Sequence, residues 1–455
     1  MFAYVLALTF VYAPSDGLPF RPAKEVGMSA ARLAAIDRAV TRGIRAGGFP
    51  GAAVVVGRRG YAVKAKGFGK LGWTNDSPAV TANGTIYDLA SLTKVVGVAT
   101  AAMILVDEGR LDLGAPVSRY LPSFRGGQKD DVTIEQLLTH HSGLPAGRDL
   151  RRLAHTAADA KQVVLATPLI CQPGRCFLYS DLGADVMGWV VEAISGQGLE
   201  AFLEERVFTP LGMNDTFFRP EEKVRSRIAP TEVSPPRGYP LRGEVHDENA
   251  WALGGVAGHA GLFASAADLS IFAQMMLNKG EYGGVRIVSD SVVERFTRRT
   301  AGTRALGWDT AHEDGEGSSG LYLSERAYGH TGFTGTSLWI DPDRELFVIL
   351  LTNRVHAARA RRPARVIADV RADLSDAAAL AVMDADMVLD MPRAFRSDKA
   401  EDWNRRVRRA PARRTTRSAA RKPTPAKPTT SKSAKPPATK PPAKAGSGKT
   451  KSGSG

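Results

Sequence analysis

Ser91-Leu92-Thr93-Lys94 sets a hydroxyl and an amine three residues apart, and it is the only S-x-x-K in the 455-residue chain. Residues at that spacing share a helix face, so the Lys94 amine can reach the Ser91 hydroxyl, and a helix N-terminus favours negative charge on the serine oxygen. A lysine held in a low-dielectric site loses part of its preference for the charged form, which would let it take the serine proton. This is the chemistry of an activated nucleophile. The plain alternative is a helix cap followed by a solvated lysine. Two further segments carry groups suited to the same chemistry. Tyr179-Ser180-Asp181 follows the Pro173-Gly174 turn, and His330-Thr331-Gly332 ends a strand-like run.

Taken together, the three segments resemble the serine penicillin-recognising family of DD-peptidases, class C β-lactamases and related esterases. Its signature runs S-x-x-K, then Y-x-N or Y-S-x, then K-T-G or H-T-G. All three occur here in that order. Asp88-Leu89-Ala90, the run Leu137-Leu138-Thr139-His140-His141-Ser142-Gly143-Leu144, and residues 329–339 resemble the family too, so the likeness spans roughly residues 25 to 385. The resemblance implies that Ser91 forms an acyl-enzyme while Lys94 and Tyr179 share general-base and general-acid work. A tyrosine beside a cation can have its proton affinity lowered enough for that role. It also implies an oxyanion hole from the backbone N–H groups of Ser91 and Phe333, whose donors stabilise charge that develops only in the tetrahedral intermediate. His330, Thr331 and Gly332 would shape the site and help hold a substrate carboxylate or orient Tyr179.

Two residues depart from the pattern. Asp181 stands where class C β-lactamases and many DD-peptidases carry Asn, replacing an amide donor by an acceptor. His330 replaces the Lys of most β-lactamases, weakening the permanent positive charge at neutral pH. Both changes point away from an efficient β-lactamase and leave esterase, amidase and DD-peptidase chemistry open. The expectation is a serine hydrolase acting on a D-alanyl peptide of the cell wall or a small ester, without metal or cofactor. The alternatives are a weak β-lactamase and a catalytically silent peptidoglycan-binding homologue. No G-x-S-x-G elbow supports a conventional Ser-His-Asp triad. His246-Asp247-Glu248 and the Gly254–Gly261 loop, with His259 inside it, read as a surface loop with satisfied polar groups, although they could border the cleft.

Elements that would position these groups follow from periodicity. Residues 31–46 read as a helix and residues 52–57 and 61–67 as a hairpin, while 91–108, apolar on every side, predicts a buried central helix. Helices at 181–194 and 266–277 mark a mostly helical stretch over about 115–280. Strands return at 327–331, 336–340 and 346–351, and a helix over 361–383 closes the domain. Early and late strands around a helical middle imply an α/β architecture. The resemblance names it as the β-lactamase/transpeptidase-like fold, an antiparallel sheet flanked by helices plus a mostly helical lobe.

With 43% hydrophobic and 24% charged residues, the composition excludes a collagenous, coiled-coil or wholly disordered protein. The net charge of +14 belongs to the end of the chain: residues 403–455 hold 16 Lys or Arg and no Asp or Glu, leaving 14 − 16 = −2 for the rest. Nucleic-acid binding is therefore not what the folded part implies, although the basic tail could hold the enzyme near an anionic polymer or membrane surface. Residues 1–20 read as an atypical or truncated signal-like segment, since residues 2–13 are nearly all apolar but no basic residue precedes Arg21. Export is the expectation, with a cytoplasmic location as the alternative. Residues 21–390 would form the hydrolase domain and 391–455 a disordered tail. Cys171 and Cys176 flank a turn composition and fit either a disulfide or two free thiols.

Overall fold

The computed structural model describes residues 15–233, 237–312, 317–357 and 361–403. Helix α1 (Ala30–Arg45) leads into strands β1 (Gly51–Arg58) and β2 (Tyr61–Gly69), which turn back on each other at Arg59-Gly60. β1 is buried along its whole length because its second edge takes a strand from far along the chain. Ala52 sits opposite Thr352 and Arg58 opposite Leu346. The late strands are β5 (Asp309–Thr310), β6 (Tyr328–Thr331), β7 (Ser337–Asp341) and β8 (Leu346–Thr352), and the antiparallel sheet runs β2-β1-β8-β7-β6-β5.

Alternation along the strands sends successive side chains to opposite faces. On one face Val54 and Leu350 pack with Ile36 and Val40 of α1 and with Val370 and Leu374 of the closing helix α7 (Pro363–Leu380). On the other, Val55 and Ile349 join Leu269 and Phe272 of α6 (Ala266–Leu277) and the apolar helix α2 (Ala90–Asp107). Among the described residues α2 is the one helix long and apolar enough to cross a membrane, but most of it is buried inside this fold. Its apolarity on all sides is that of a core helix. Around it the 115–280 stretch is mostly helical, as expected. It includes α3 (Ile134–Leu138), α4 (Asp181–Ser195) and the short α5 (Glu248–Ala252). A two-stranded sheet of β3 (Ile86–Asp88) and β4 (Phe263–Ser265) ties the start of α2 to the 260s.

Two expected boundaries shift. Within the supposed signal-like segment, Leu18 is buried, its N–H donates to Ser270 Oγ, and Phe20 bridges to Ala62. These residues are part of the fold. At the other end the tail does not start at 391: a 3₁₀ turn at Arg396–Asp402 packs on α7, Phe395 and Trp403 are buried, and the Trp403 indole donates to Asp369 at 2.7 Å. Two aromatic anchors outweigh a basic, proline-rich composition. The expected disordered segment from 404 onward and the apolar start, residues 1–14, lie outside the described residues. Cys171 and Cys176 are joined as a disulfide, with Cα atoms 6.3 Å apart.

Candidate active site

Ser91 lies in the first turn of α2, partly exposed at the floor of a cleft of about 530 Å³. The residue before it, Ala90, is held in the left-handed region at φ 47°, a cost for any side chain with a Cβ. What holds it there is Asp88, whose carboxylate accepts the Ala90 N–H at 2.8 Å and, through its other oxygen, the His246 N–H at 2.7 Å. The third motif is tied to the same segment. The Thr334 hydroxyl donates to the Asp88 carbonyl (2.7 Å) and the Thr336 hydroxyl to the Leu89 carbonyl (2.9 Å). A Cβ at Gly332 would overlap the Leu89 carbonyl and the Thr336 hydroxyl, so only glycine permits this approach.

Lys94 is 3% exposed and its amine lies 3.1 Å from Ser91 Oγ, 3.1 Å from the His259 carbonyl and 2.7 Å from Asp181 Oδ1, with the Tyr179 hydroxyl hydrogen-bonded to it as well. An ammonium has three protons, and four acceptors share them. The expected drift toward the neutral amine is therefore reversed. Burial does pull Lys94 down, but Tyr179 and the Asp181 carboxylate outweigh it and hold the amine above the ordinary lysine range. Asp181 is placed for this by α4, whose N-cap Ser180 accepts the Gly183 N–H.

Tyr179, one residue before that cap, is caged by rings and cations. His140 lies 4.5 Å from its ring, His330 stacks at 6.0 Å, the Lys94 amine sits 4.9 Å from its centroid and the Arg304 guanidinium 5.8 Å away. His140, at φ 60°, accepts the Ser180 N–H through Nδ1 and so fixes the segment carrying Tyr179. Phe177 and the Cys171–Cys176 loop lead into the same segment.

His330 is buried, its Nδ1 facing the Thr331 carbonyl. Burial, opposed by Asp309 and reinforced by Arg304 and Lys94, pushes its pKa down to about 4. It is neutral at pH 7 and is not a cation for a substrate carboxylate. The unfolded histidine takes up a proton near pH 6.5 and the folded one only near 4. Stability contributed above pH 6.5 is thus lost as pH falls toward 4, by about 3 kcal/mol for this group. A His330→Asn variant should lose that acid slope in pH-dependent denaturant melts. An unchanged slope would place the acid sensitivity elsewhere.

Arg304, Arg354 and Arg371 line the cleft; Arg304 is paired with Asp309, so the uncompensated positive charge comes from Arg354 and Arg371, neither anticipated from the sequence. Arg371 donates to the Gly332 and Thr336 carbonyls at 2.7 Å, and Arg354 stacks on Phe333 at 4.4 Å. Among the described residues, no carboxylate forms an ion pair with either. A signal for Arg371 was present: it falls between Ile367 and Leu374 on the buried face of α7, where an arginine needs a reason. Phe333 presents its ring at the cleft mouth, 61% exposed, with His246 stacked on it at 5.7 Å. The 246–261 region is not a surface loop at His259, which is buried at 1% exposure behind Lys94 with Asp185 and Asp247 against its ring. Ser91, Lys94, Tyr179, Asp181, His330, Thr331, Gly332 and Phe333 thus all gather at one cleft.

The family model described as Beta-lactamase matches residues 36–372. A protein of Salmonella agona strain SL483, provisionally named D-alanyl-D-alanine carboxypeptidase, is 33% identical over 371 residues, covering 73% of this chain and 85% of that protein. The N-acetylmuramyl-L-alanine amidase of Bacillus subtilis strain 168 is 33% identical over 401 residues, covering 78% of this chain and 90% of that one. The crystal structure of a penicillin-binding protein homologue from Caulobacter crescentus superposes with a TM-score of 0.61 at 20% identity, over 77% of this chain and 99% of that one, a likeness of fold.

Proposed function

The chain belongs to the beta-lactamase family, a family of serine hydrolases, and on that premise we propose that it cleaves a D-alanyl peptide of the cell wall through an acyl-enzyme on Ser91. The observation that carries this reading is the set of contacts around Lys94, which joins Ser91 Oγ to the Asp181 carboxylate through a single ammonium.

In acylation Ser91 Oγ attacks the scissile carbonyl as its proton passes to Lys94 and Lys94 releases one to Asp181. The backbone N–H groups of Ser91 and Phe333 receive the developing oxyanion. The Tyr179 hydroxyl gives its proton to the leaving amine, the C–N bond breaks, and the proton stored on Asp181 returns through Lys94 to Tyr179. Deacylation repeats the sequence with water as nucleophile and Ser91 as leaving group, restoring the starting charges. An Asn at position 181 could position Lys94 but not store the proton. Arg354 and Arg371 supply what a neutral His330 does not, a fixed charge for the terminal carboxylate of the peptide.

The disulfide fits an oxidising compartment and hence an exported enzyme. The basic residues of 403–455 fit attraction to an anionic polymer or membrane surface, which salt would screen. The second reading, an amidase cutting between muramic acid and L-alanine, is favoured by the B. subtilis relative.

Full-length protein incubated with a peptide ending in D-alanyl-D-alanine, with N-acetylmuramyl-L-alanine and with a neutral nitrophenyl ester separates these readings. Free D-alanine supports the first, free L-alanine the second, and cleavage of the ester alone rejects both. Arg354→Ala should raise KM about tenfold for the carboxylate-ended peptide, with little change in kcat or in ester turnover. An unchanged KM would take Arg354 out of substrate binding.

A further inference from the structure

The His259 side chain touches nothing in the cleft, yet it is the centre of a buried charge cluster. Its Nδ1 lies 2.7 Å from Asp185 Oδ1 and its Nε2 2.9 Å from Asp247 Oδ1. A ring with carboxylates on both nitrogens donates from both and is an imidazolium. Burial opposes that charge and also pushes the Asp185 carboxyl up, while Asp185 and Asp247 together raise the pKa of His259 well above the ordinary histidine range. Two carboxylates and an imidazolium taken out of water are costly, and apolar side chains of the same volume would hold the loop at least as well. The arrangement calls for a use beyond holding the chain together.

The backbone indicates which. Asp185 Oδ1 also accepts the Gly258 and His259 N–H groups (3.0 and 3.3 Å), while Asp247 caps α5 by accepting the Asn249 and Ala250 N–H groups (both 2.9 Å). Gly258 lies so close on α4 that a Cβ there would overlap the Ala184 carbonyl. The loop is thus stapled to α4 on one side and to α5 on the other, and the atom it presents to Lys94 is the His259 carbonyl, 3.1 Å from Nζ. Asp181 and Asp185 are four residues apart on one face of α4. One helix therefore fixes the lysine twice, directly through Asp181 and indirectly through Asp185 and His259.

We propose that His259, clamped between Asp185 and Asp247, is a positioning residue whose carbonyl holds one proton of the Lys94 ammonium and thereby aims the others at Ser91, Tyr179 and Asp181. This rests on the reading of Ser91 and Lys94 given above. Without the clamp the His259 carbonyl drifts, the ammonium turns, and the proton path from Ser91 to Asp181 lengthens while the substrate cleft is unaltered.

The test uses the full chain carrying ¹⁵N-labelled lysine, in wild type, Lys94→Met, His259→Gln and Asp185→Asn forms. Wild type is expected to show a slowly exchanging Nζ resonance that Lys94→Met removes. In His259→Gln that resonance should exchange at least tenfold faster, and acylation by an activated ester should slow 10- to 50-fold with KM within twofold. Asp185→Asn, which preserves shape, should do the same and serves if His259→Gln does not fold. An unchanged Nζ resonance in either folded variant overturns the proposal, as does an unchanged acylation rate or a loss confined to KM. If wild type shows no Ser91-dependent acylation, the catalytic reading falls while the resonance still decides whether His259 positions Lys94.

Discussion

Ser91→Ala is expected to lower turnover of any cleaved amide or ester by a factor on the order of 10⁴ to 10⁶, the range seen when a covalent nucleophile is deleted. The chain should otherwise remain intact. Ser91 is partly exposed, and its side chain accepts one hydrogen bond, from Lys94, so the loss of stability should stay near 1 kcal/mol. Intact-mass spectrometry during incubation with benzylpenicillin gives a direct reading. A lasting adduct on wild type that is absent from Ser91→Ala marks a penicillin-binding peptidase, and rapid drug loss with a fleeting adduct marks a β-lactamase. An adduct that survives in Ser91→Ala would mean that acylation occurs elsewhere, and the proposed mechanism would fail with it.

The second large effect is expected from Asp181→Asn, which replaces the carboxylate by an amide. The side chain keeps its shape and an oxygen for Lys94, but the charge is gone. A buried ammonium then faces neutral partners, at a cost of about 3 kcal/mol. The held-up pKa of Lys94 stabilises the fold at pH values below that of an ordinary lysine, and the benefit disappears as pH rises through the folded pKa. In Asp181→Asn that benefit shrinks, so the variant should melt lower at neutral pH and lose its remaining margin at a lower alkaline pH than wild type. Turnover should fall 10²- to 10³-fold, because nothing remains to hold the serine proton during acylation. Wild-type turnover in a folded Asp181→Asn would assign the proton to Tyr179 alone and remove Asp181 from the chemistry. Melting curves across pH 7 to 11, with single-turnover acylation rates, measure both effects.

Much of the scaffold was legible because its signals are local. The unbroken apolarity of 91–108 has no other place than a core, and the apolar strands near both ends of the chain each have an edge left over from their local pairing that the other end covers. The three chemical segments were legible for a related reason: each couples a reactive side chain to a turn or helix start. The charge of Lys94 was not legible, since burial alone argues for a neutral amine and only the approach of Asp181 from α4 reverses it. His259 was misread because a glycine-rich loop with polar residues is most often solvated. Its burial depends on Asp185, some 74 positions earlier, reaching it from another element. Arg354 became visible only once β8 was laid beside the third motif, whereas Arg371 left a trace in its place on the apolar face of α7. At the chain end Phe395 and Trp403 were lost in a basic, proline-rich background, although each aromatic buries enough area to anchor a turn.

The pairing of β1 with β8 also governs how this chain comes into being. Ala52 finds its partner at Thr352, about 300 residues later. At a synthesis rate of roughly 5 to 20 residues per second, β1 waits about 15 to 60 seconds for the strand that covers its second edge, and α2 emerges into water before the sheet that buries it is complete. For that interval the nascent chain displays a strand with one open edge and an apolar helix together. A holding chaperone, or transfer across a membrane before the late strands can dock, would protect it, and slow refolding from denaturant with concentration-dependent losses is the behaviour this topology dictates.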